Sequence, residues 1–435
     1  MVRPFVVGLG LLAGLAVIGC ANGTSRDLPT TEESLHDVSP ADAAVRTGAD
    51  VLAAEGFARL AGRRVGLIAN HTSRTDTAHL GDLLAAAPEV ELVALFGPEH
   101  GVRGTSEAGA EVRGGVDVRT GVPVYSLYGA TNKPTPEMLR GIDVLLFDVQ
   151  DVGARFYTYI STMGLAMQAA AEAGIPFLVL DRPNPLGGEY VSGFVMEPPQ
   201  ESFVGLFPIP IAHGLTVGEL ARMIKGEAML DGLGDLDLQV VPMEGWKRSM
   251  LWPETGLRWI PPSPNLPRFE SALVYPGTCL FEALVASEGR GTDDPFLQVA
   301  APYVDGRATA QDLNDRYLPG VQFRAVSFTP RSIEGMSANP RFRGREVQGV
   351  ALEVSDAAAF QPVETGIHLI DAFRRQAQAS GAELIDRAEW LAKLAGTERL
   401  ARMLSSGDSP AQIIESWQRD VDRFREKREA YLLYE

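Results

Sequence analysis

The chain has 435 residues and a formal net charge of −17, with 45% hydrophobic and 22% charged residues. This composition is typical of a soluble globular protein with a substantial core. The negative charge argues against a nucleic-acid partner and against general binding to anionic surfaces, because both require a positive surface. An anionic ligand is therefore expected only at a local cluster of arginines.

The N-terminus has the pattern of an export signal. Arg3 precedes an apolar stretch over residues 5–18, which suits a signal peptide but is short for a membrane span. The segment 17–20, Val-Ile-Gly-Cys, resembles a bacterial lipobox, and an ordinary secretory signal is the alternative. We predict a signal peptide over 1–19 and lipidation of Cys20. The protein would then be exported and face the periplasm or cell exterior, with a lipid anchor as its sole attachment to the membrane.

The rest of the chain predicts a tether and then two subdomains. Residues 20–44 are polar and indicate a flexible tether. Residues 45–435 exceed one ordinary domain, and six prolines between residues 252 and 276 argue against regular structure there. We therefore predict subdomains over 45–250 and 251–435. The other cysteine, Cys279, is expected to be a small buried hydrophobic residue.

Short apolar runs predict an α/β fold. Nearly continuous runs at 65–69, 92–96, 144–147 and 177–180 are typical of strands buried on both faces of a parallel sheet. Helical patterns precede the second and fourth runs, and this alternation indicates a Rossmann-like, mostly parallel sheet. Further elements are predicted as a helix at 215–230 with a capping box at Thr216 and Glu219, strands at 238–241, 321–328 and 347–354, and helices at 365–379 and after Ser409-Pro410.

Several familiar motifs are absent from the sequence. The first strand is followed by Asn70-His71-Thr72 rather than G-x-G-x-x-G, so a bound dinucleotide is not expected. There is no Walker A loop, G-x-S-x-G elbow, H-E-x-x-H or S-x-x-K motif, and the six histidines lack metal-ligand spacing. We predict neither a cofactor nor a metal.

Polar residues instead come directly after all four predicted strands. Ligands of open parallel sheets bind outside the carboxyl ends of the strands, so these residues predict a site at one edge. Glu99 is the leading candidate there, because a partly desolvated carboxyl group can keep its proton and act as a general acid. A helix-capping carboxylate is the alternative for Glu99. His100 either orients Glu99 or contacts substrate, or it is an ordinary loop histidine.

Six motifs in a fixed order resemble one enzyme family. The likeness runs from about residue 45 to the C-terminus and rests on GPEHG at 97–101, QDVGARFYTYIST at 150–162, DRPNPLGG at 181–188, PSPNLP at 262–267, YPGTC at 275–279 and EGRGT at 288–292. Together they resemble the exo-lytic β-N-acetylmuramidases of glycoside hydrolase family 171. The resemblance implies a Rossmann-like subdomain joined to a second α/β subdomain, with the active site in the cleft between them.

The resemblance also implies an activity and a set of site residues. The activity is release of N-acetylmuramic acid from the non-reducing end of peptidoglycan fragments such as the MurNAc–GlcNAc disaccharide. By motif match Glu99 corresponds to the catalytic acid. The remaining candidates are His100, Asp151 and Tyr157 for catalysis, and Asn70, Gln150, Arg155, Arg182, Asn184, Asn265, Glu288 and Arg290 for substrate binding.

Two points stay open at this stage. The second catalytic group could be Asp151, Glu288, Tyr157 or the substrate's own acetamido group. Arg155 or Arg290 could bind the lactyl carboxylate of muramic acid. The glycines that flank Arg290 slightly favour Arg290, because they let the backbone come close to a ligand. The competing functions are a non-catalytic muropeptide-binding lipoprotein and, weakened by the missing glycine motif, a nucleotide-dependent oxidoreductase.

Overall fold

The computed structural model describes residues 44–104 and 114–435, so the predicted signal peptide, Cys20 and nearly all of the tether lie outside the described residues. The strands are β1 (Arg64–Ala69), β2 (Glu91–Gly97), β3 (Gly115–Val116), β4 (Pro123–Ser126), β5 (Val144–Asp148), β6 (Phe177–Leu180), β7 (Leu238–Val241), β8 (Gln298–Ala301), β9 (Val321–Phe328) and β10 (Val347–Val354). The helices are α1 (Gly48–Ala54), α2 (Leu80–Ala86), α3 (Tyr159–Ala173), α4 (Val217–Gly226), α5 (Phe269–Thr278), α6 (Gly306–Asn314), α7 (Pro362–Ser380), α8 (Ala388–Ala395), α9 (Arg399–Ser406) and α10 (Pro410–Arg428).

The larger sheet has the strand order of a Rossmann fold. Its order is β3-β4-β2-β1-β5-β6-β7, and every neighbouring pair is parallel except β3 with β4. After β1 the chain builds outward through β2 and β4, then returns to place β5 on the other side of β1. The prediction of a mostly parallel, Rossmann-like sheet is confirmed, and the point where the strand order reverses lies between β1 and β5.

Apolar side chains cover both faces of this sheet, as the continuous apolar runs predicted. Val65 and Leu67 of β1 pack with α1 and α2 in one cluster, which includes Leu52 and Leu84. Ile68 lies in a second cluster, together with side chains of α3 and α4. The alternation along one strand places helices on both sides of the sheet, which is why β1 has no polar face.

A second, smaller sheet lies in the C-terminal half. It is antiparallel, with the order β8-β10-β9, and Val347 pairs with Phe328 at one end of the β10–β9 ladder. Helix α10 docks through Trp417, which is fully buried and meets the ring of Phe194 edge-on at 5.0 Å. Contacts join residues 44–435 into one compact unit. The subdomain boundary near residue 250 stays a prediction.

The expectation of no regular structure between residues 252 and 276 is wrong for its last part. Helix α5 contains Pro276, although an interior proline costs a helix about 3 kcal/mol. Tertiary packing outweighs that cost, because α5 is buried and meets α7 at Gly277, where an added Cβ would lie 2.0 Å from the carbonyl oxygen of Pro362. None of the described helices is both long and apolar enough to cross a membrane.

Candidate active site

Strand register brings the polar strand ends to one edge of the larger sheet. In the β1–β5 pair Ala69 is opposite Asp148, so Asn70 and the segment after β5 emerge side by side. In the β2–β4 pair Gly97 is opposite Ser126. Glu99 and Tyr128 each lie two residues beyond that rung, which places both side chains at the same point of the edge.

A cavity of about 590 Å³ opens at this point, and we call it the Glu99 cavity. Its walls come from both halves of the chain. The lining residues that bear on its chemistry are Glu99, Tyr128, Thr158, Asn265, Glu282, Arg290 and Trp390. Of the sequence-predicted site residues, the structure therefore brings Glu99, Asn265 and Arg290 together.

Two hydroxyl groups contact the carboxyl group of Glu99. Thr158 Oγ1 donates to Glu99 Oε2 at 3.0 Å, and for this reason the hydroxyl does not cap α3, at whose N-terminus Thr158 lies. Burial, and then the neighbouring Glu99 carboxylate and a hydrogen bond to it, raise the pKa of Tyr128 well above its ordinary range. Tyr128 therefore stays protonated and can serve as a donor to Glu99.

An ionic cluster forms another part of the cavity lining. Arg290 Nη1 lies 2.5 Å from Glu282 Oε1 and 3.1 Å from Glu288 Oε1. Trp390 Nε1 donates to Glu282 Oε2 at 3.4 Å. Burial alone would lower the pKa of Arg290, but Glu282 and Glu288 outweigh it and raise that pKa. Because Arg290 already has two carboxylate partners, this arrangement argues against it as a free cation for the lactyl carboxylate.

Arg155, expected to bind substrate, lies away from the cavity lining. Its guanidinium is fully buried and does not line the Glu99 cavity. It donates to the carbonyl oxygens of Phe194, Ile209 and Leu394 at 2.7 to 3.0 Å. The glycine-containing motif suggested a residue that approaches a ligand, whereas the tertiary fold encloses the side chain and uses it to join separate loops.

Arg182 and Asn184, both expected to bind substrate, are also held by the protein. Arg182 Nε and Nη2 lie 2.6 and 2.9 Å from the two oxygens of Asp148, which is fully buried. Asn184 donates to the carbonyl oxygen of Leu215 and accepts from the amide of Leu186, each at 3.0 Å. Neither lines the Glu99 cavity. Arg182 and Gln150 instead border a separate, smaller cavity of about 190 Å³.

The remaining candidates are not on the lining of the Glu99 cavity. Asn70 and Gln150 bond to neighbouring loop groups, Tyr157 packs edge-on against Tyr159 and Tyr275, and Glu288 pairs with Arg290. His100 is buried with a positive φ of 72°. The sequence patterns identified polar residues at the strand ends. They did not distinguish the residues that line the cavity from those that bond only to other parts of the protein.

Asp151 is buried and forms a close pair with His213. Their nearest atoms, Asp151 Oδ2 and His213 Nε2, are 3.9 Å apart, and Asp151 Oδ2 also accepts from the amide of Gly153 at 2.7 Å. Burial raises the pKa of Asp151 to about 7. Burial, and to a lesser extent the nearby cations Arg428 and Arg155, lowers the pKa of His213 to about 3. Both groups are therefore neutral in mildly acidic solution.

The Asp151–His213 pair predicts that the free energy of unfolding of the variants Asp151→Asn and His213→Gln depends on pH in opposite directions. In unfolded chains the two groups titrate near about 4 and about 6.5. The raised pKa of Asp151 contributes stability that is lost as pH rises from about 4 through 7, and the lowered pKa of His213 contributes stability that is lost as pH falls from about 6.5 through 3. In the wild type the two trends largely cancel between about pH 4 and 6.5.

Urea unfolding across this pH range measures the effect. Relative to wild type, Asp151→Asn leaves the His213 contribution, so its free energy of unfolding should rise with pH. His213→Gln leaves the Asp151 contribution and should show a fall. Each slope is limited to about 1.4 kcal/mol per pH unit. Slopes of the same sign in both variants would contradict the assignment.

Four of the cavity residues named above, Tyr128, Thr158, Glu282 and Trp390, were not recognised from the sequence. Tyr128 comes after β4, a short half-buried strand with no continuous apolar run. Glu282 interrupts the apolar run Leu280-Phe281-Glu282-Ala283-Leu284, and a lone carboxylate in such a run was the available signal. Trp390 lies on α8, far away in sequence. Cys279 is buried as expected, and burial raises the pKa of its thiol. Within the described ranges no cluster of His, Cys, Asp or Glu is placed to hold a metal ion.

Comparisons with known proteins agree with this architecture. Residues 65–270 match the family described as exo-β-N-acetylmuramidase NamZ, N-terminal, and residues 273–434 match its C-terminal counterpart. The peptidoglycan β-N-acetylmuramidase NamZ of Bacillus subtilis (strain 168) is 46% identical over 391 residues, which span 90% of this chain and 91% of that protein.

Two solved structures share the fold along most of the chain. Both are DUF1343 family proteins from Bacteroides fragilis, with TM-scores of 0.82 and 0.74 and identities of 41% and 35%. Each comparison covers 90% of this chain and 99% of the other.

The fold and the site together define a Rossmann-like α/β protein with a second, smaller sheet and a cavity that presents two carboxyl groups. That class is compatible with sugar hydrolysis, which commonly uses two such groups. Matches over both halves of the chain identify the family, and the chain belongs to the exo-β-N-acetylmuramidase family.

Proposed function

We propose that this protein is an exo-lytic glycoside hydrolase that releases N-acetylmuramic acid from the non-reducing end of peptidoglycan fragments, in cell-wall turnover. The observation that carries the proposal is the position of Glu99, within the GPEHG motif and on the lining of a sugar-sized cavity. The GPEHG motif is shared with the exo-β-N-acetylmuramidase family, and the chain is 46% identical to a peptidoglycan β-N-acetylmuramidase. Both similarities support the same reaction.

The chemistry begins with Glu99 as the proton donor. Its carboxyl group gives a proton to the glycosidic oxygen, so that the leaving sugar departs as a neutral alcohol. Thr158 and Tyr128 hold the Glu99 side chain in place by hydrogen bonds from their hydroxyl groups. Asn265, fixed by donation to the carbonyl oxygen of Met336 at 2.8 Å, keeps an amide oxygen for a sugar hydroxyl or acetamido group.

Hydrolysis of 4-nitrophenyl β-N-acetylmuramide and of the MurNAc–GlcNAc disaccharide tests the proposal. Both substrates should be cleaved with single-sugar release, and the N-acetylglucosamine analogues should be cleaved more slowly. The competing function is a binding lipoprotein. Saturable binding of the disaccharide without release of N-acetylmuramic acid would favour that function instead.

We also propose that the protein is exported and anchored to the membrane through a lipid on Cys20, which ends the lipobox-like segment. Two or more acyl chains bind a membrane far more firmly than one. Cys20→Ala should therefore move the protein from the membrane fraction to the soluble fraction, or leave the precursor unprocessed, in a fractionation of whole cells. A wild-type protein found entirely in the soluble fraction would overturn the anchor.

A further inference from the structure

We infer that Glu282 is a second functional carboxylate of the Glu99 cavity, that it accepts the proton of the attacking water, and that Arg290 and Glu288 position it. The inference rests on the proposed function, because it names a further group for the same reaction. None of the three side chains considered from the sequence as the second catalytic group takes this place. Asp151, Tyr157 and Glu288 do not line the cavity.

The first observation is the composition of the cavity lining. Among its residues in the described part of the chain, Glu99 and Glu282 are the two that carry carboxyl groups. The two carboxyl groups belong to different parts of the fold, since Glu99 comes after β2 and Glu282 lies in the short helical turn after α5. A sugar in this cavity is therefore in reach of a carboxyl group from each half of the chain, which is the usual arrangement for glycoside hydrolysis.

The second observation is how firmly Glu282 is held. Arg290 contacts one of its oxygens at 2.5 Å, and the indole of Trp390 donates to the other at 3.4 Å. Arg290 is itself fixed, because Glu288 pairs with it at 3.1 Å and its guanidinium lies 4.9 Å from the ring centre of Phe296. Glu282 and Arg290 therefore each have at least two restraints, and the carboxylate of Glu282 is presented in one orientation.

The third observation concerns the partners of the two carboxyl groups. Glu282 forms an ion pair with Arg290, and Glu99 accepts from the hydroxyl of Thr158. The motif match gives the proton-donor role to Glu99. Glu282 is the other carboxyl group on the cavity lining in the described part of the chain, so it takes the proton-acceptor role.

The resulting step is balanced. Glu99 transfers its proton to the glycosidic oxygen, and the bond from that oxygen to the anomeric carbon breaks, with its electron pair staying on the oxygen. A water oxygen bonds to the anomeric carbon and loses one proton to Glu282. One water is consumed, two sugars are formed, and exchange with solvent restores both carboxyl groups.

Leaving-group dependence separates the two roles. In Glu282→Gln, turnover should fall by about 10²–10⁴-fold with both 4-nitrophenyl β-N-acetylmuramide and the disaccharide, because both need the water activated. Loss of Glu99 should affect the disaccharide far more, since 4-nitrophenolate leaves without a proton. The acidic limb of the kcat/KM pH profile, which reports the base, should also disappear in Glu282→Gln.

Controls distinguish this role from a structural one. Glu353→Gln removes an exposed partner of Arg324 far from the cavity and should leave activity unchanged. Glu288→Gln should give a smaller loss than Glu282→Gln and keep the acidic limb. Formate should restore part of the activity of Glu282→Ala by supplying the lost carboxylate, which it cannot do for a folding defect.

Two outcomes overturn the inference while the proposed function stands. One is a Glu282→Gln enzyme with turnover within about threefold of wild type, well short of the expected loss. The other is a loss that comes with an unchanged acidic limb and no formate rescue of Glu282→Ala. A wild-type protein that cleaves neither substrate would instead overturn the proposed function, and the inference with it.

Discussion

Replacing Glu99 with Gln is expected to lower kcat for the MurNAc–GlcNAc disaccharide by about 10²–10⁴-fold, the usual contribution of a general acid. Glutamine keeps the size of the side chain and can still accept from Thr158, which lies 3.0 Å from Glu99 Oε2, but it has no proton to transfer to the glycosidic oxygen. Steady-state kinetics with purified protein measure the change. The thermal unfolding midpoint should stay close to that of wild type.

The same variant has a distinctive substrate dependence. With 4-nitrophenyl β-N-acetylmuramide the loss should be much smaller, because the leaving group is stable as an anion. Glu353→Gln, an identical change at an exposed ion pair, controls for the substitution itself. Near-normal turnover of the disaccharide by Glu99→Gln would transfer the acid role to another cavity residue.

Replacing Arg182 with Met is expected to lower the free energy of unfolding by about 3–5 kcal/mol, because it leaves the buried Asp148 without its partner. Both oxygens of Asp148 contact Arg182, and the carboxyl group has no access to solvent. Burial already raises the pKa of Asp148, with Arg182 acting in the opposite direction. Removing the guanidinium therefore leaves only the unfavourable effect of burial.

Urea unfolding monitored by tryptophan fluorescence gives the measurement for Arg182→Met. Arg324→Met removes an exposed pair with Glu353 and should cost less than about 1 kcal/mol. Adding Asp148→Leu to Arg182→Met should recover much of the lost stability, since an apolar pair can replace a buried ion pair. A stable Arg182→Met protein that no longer binds substrate would return Arg182 to the substrate-binding role first expected from its motif.

Most strands of the fold were predictable for a simple reason. Strands covered on both faces, such as β6, appear as unbroken apolar runs. The partly exposed strands β7, β9 and β10 also begin and end as the sequence predicted. The capping box of α4 was likewise predictable from the sequence, because Thr216 and Glu219 interact within one helical turn. Helix α5 was missed because its stability depends on a close contact with α7, which no local pattern reports.

The sequence predicted the group of polar residues from which the candidate site is built, but not which of them line the cavity. Glu99, Asn265 and Arg290 came from motifs and line the cavity. Arg155 came from an equally distinctive motif and lies in the core, where it bonds three carbonyl oxygens. A motif indicates that a particular side chain is needed at a position. It does not indicate whether that side chain binds a ligand or the protein's own backbone.

The sequence by itself determined most strands of the larger sheet, the edge of that sheet that carries the polar residues, and Glu99 as the leading candidate for the acid. These features depend on hydrophobic periodicity and short-range contacts, which act within one element or between one strand and the next loop. Only the tertiary structure decided which polar side chains face the cavity and which are enclosed. Glu282 and Arg290 line the same cavity as Glu99 although they come from the other half of the chain, and Arg155 donates to the carbonyl oxygen of Leu394, far along the sequence. Such contacts arise only when distant segments pack together, because the partner of a buried polar group is set by proximity in space.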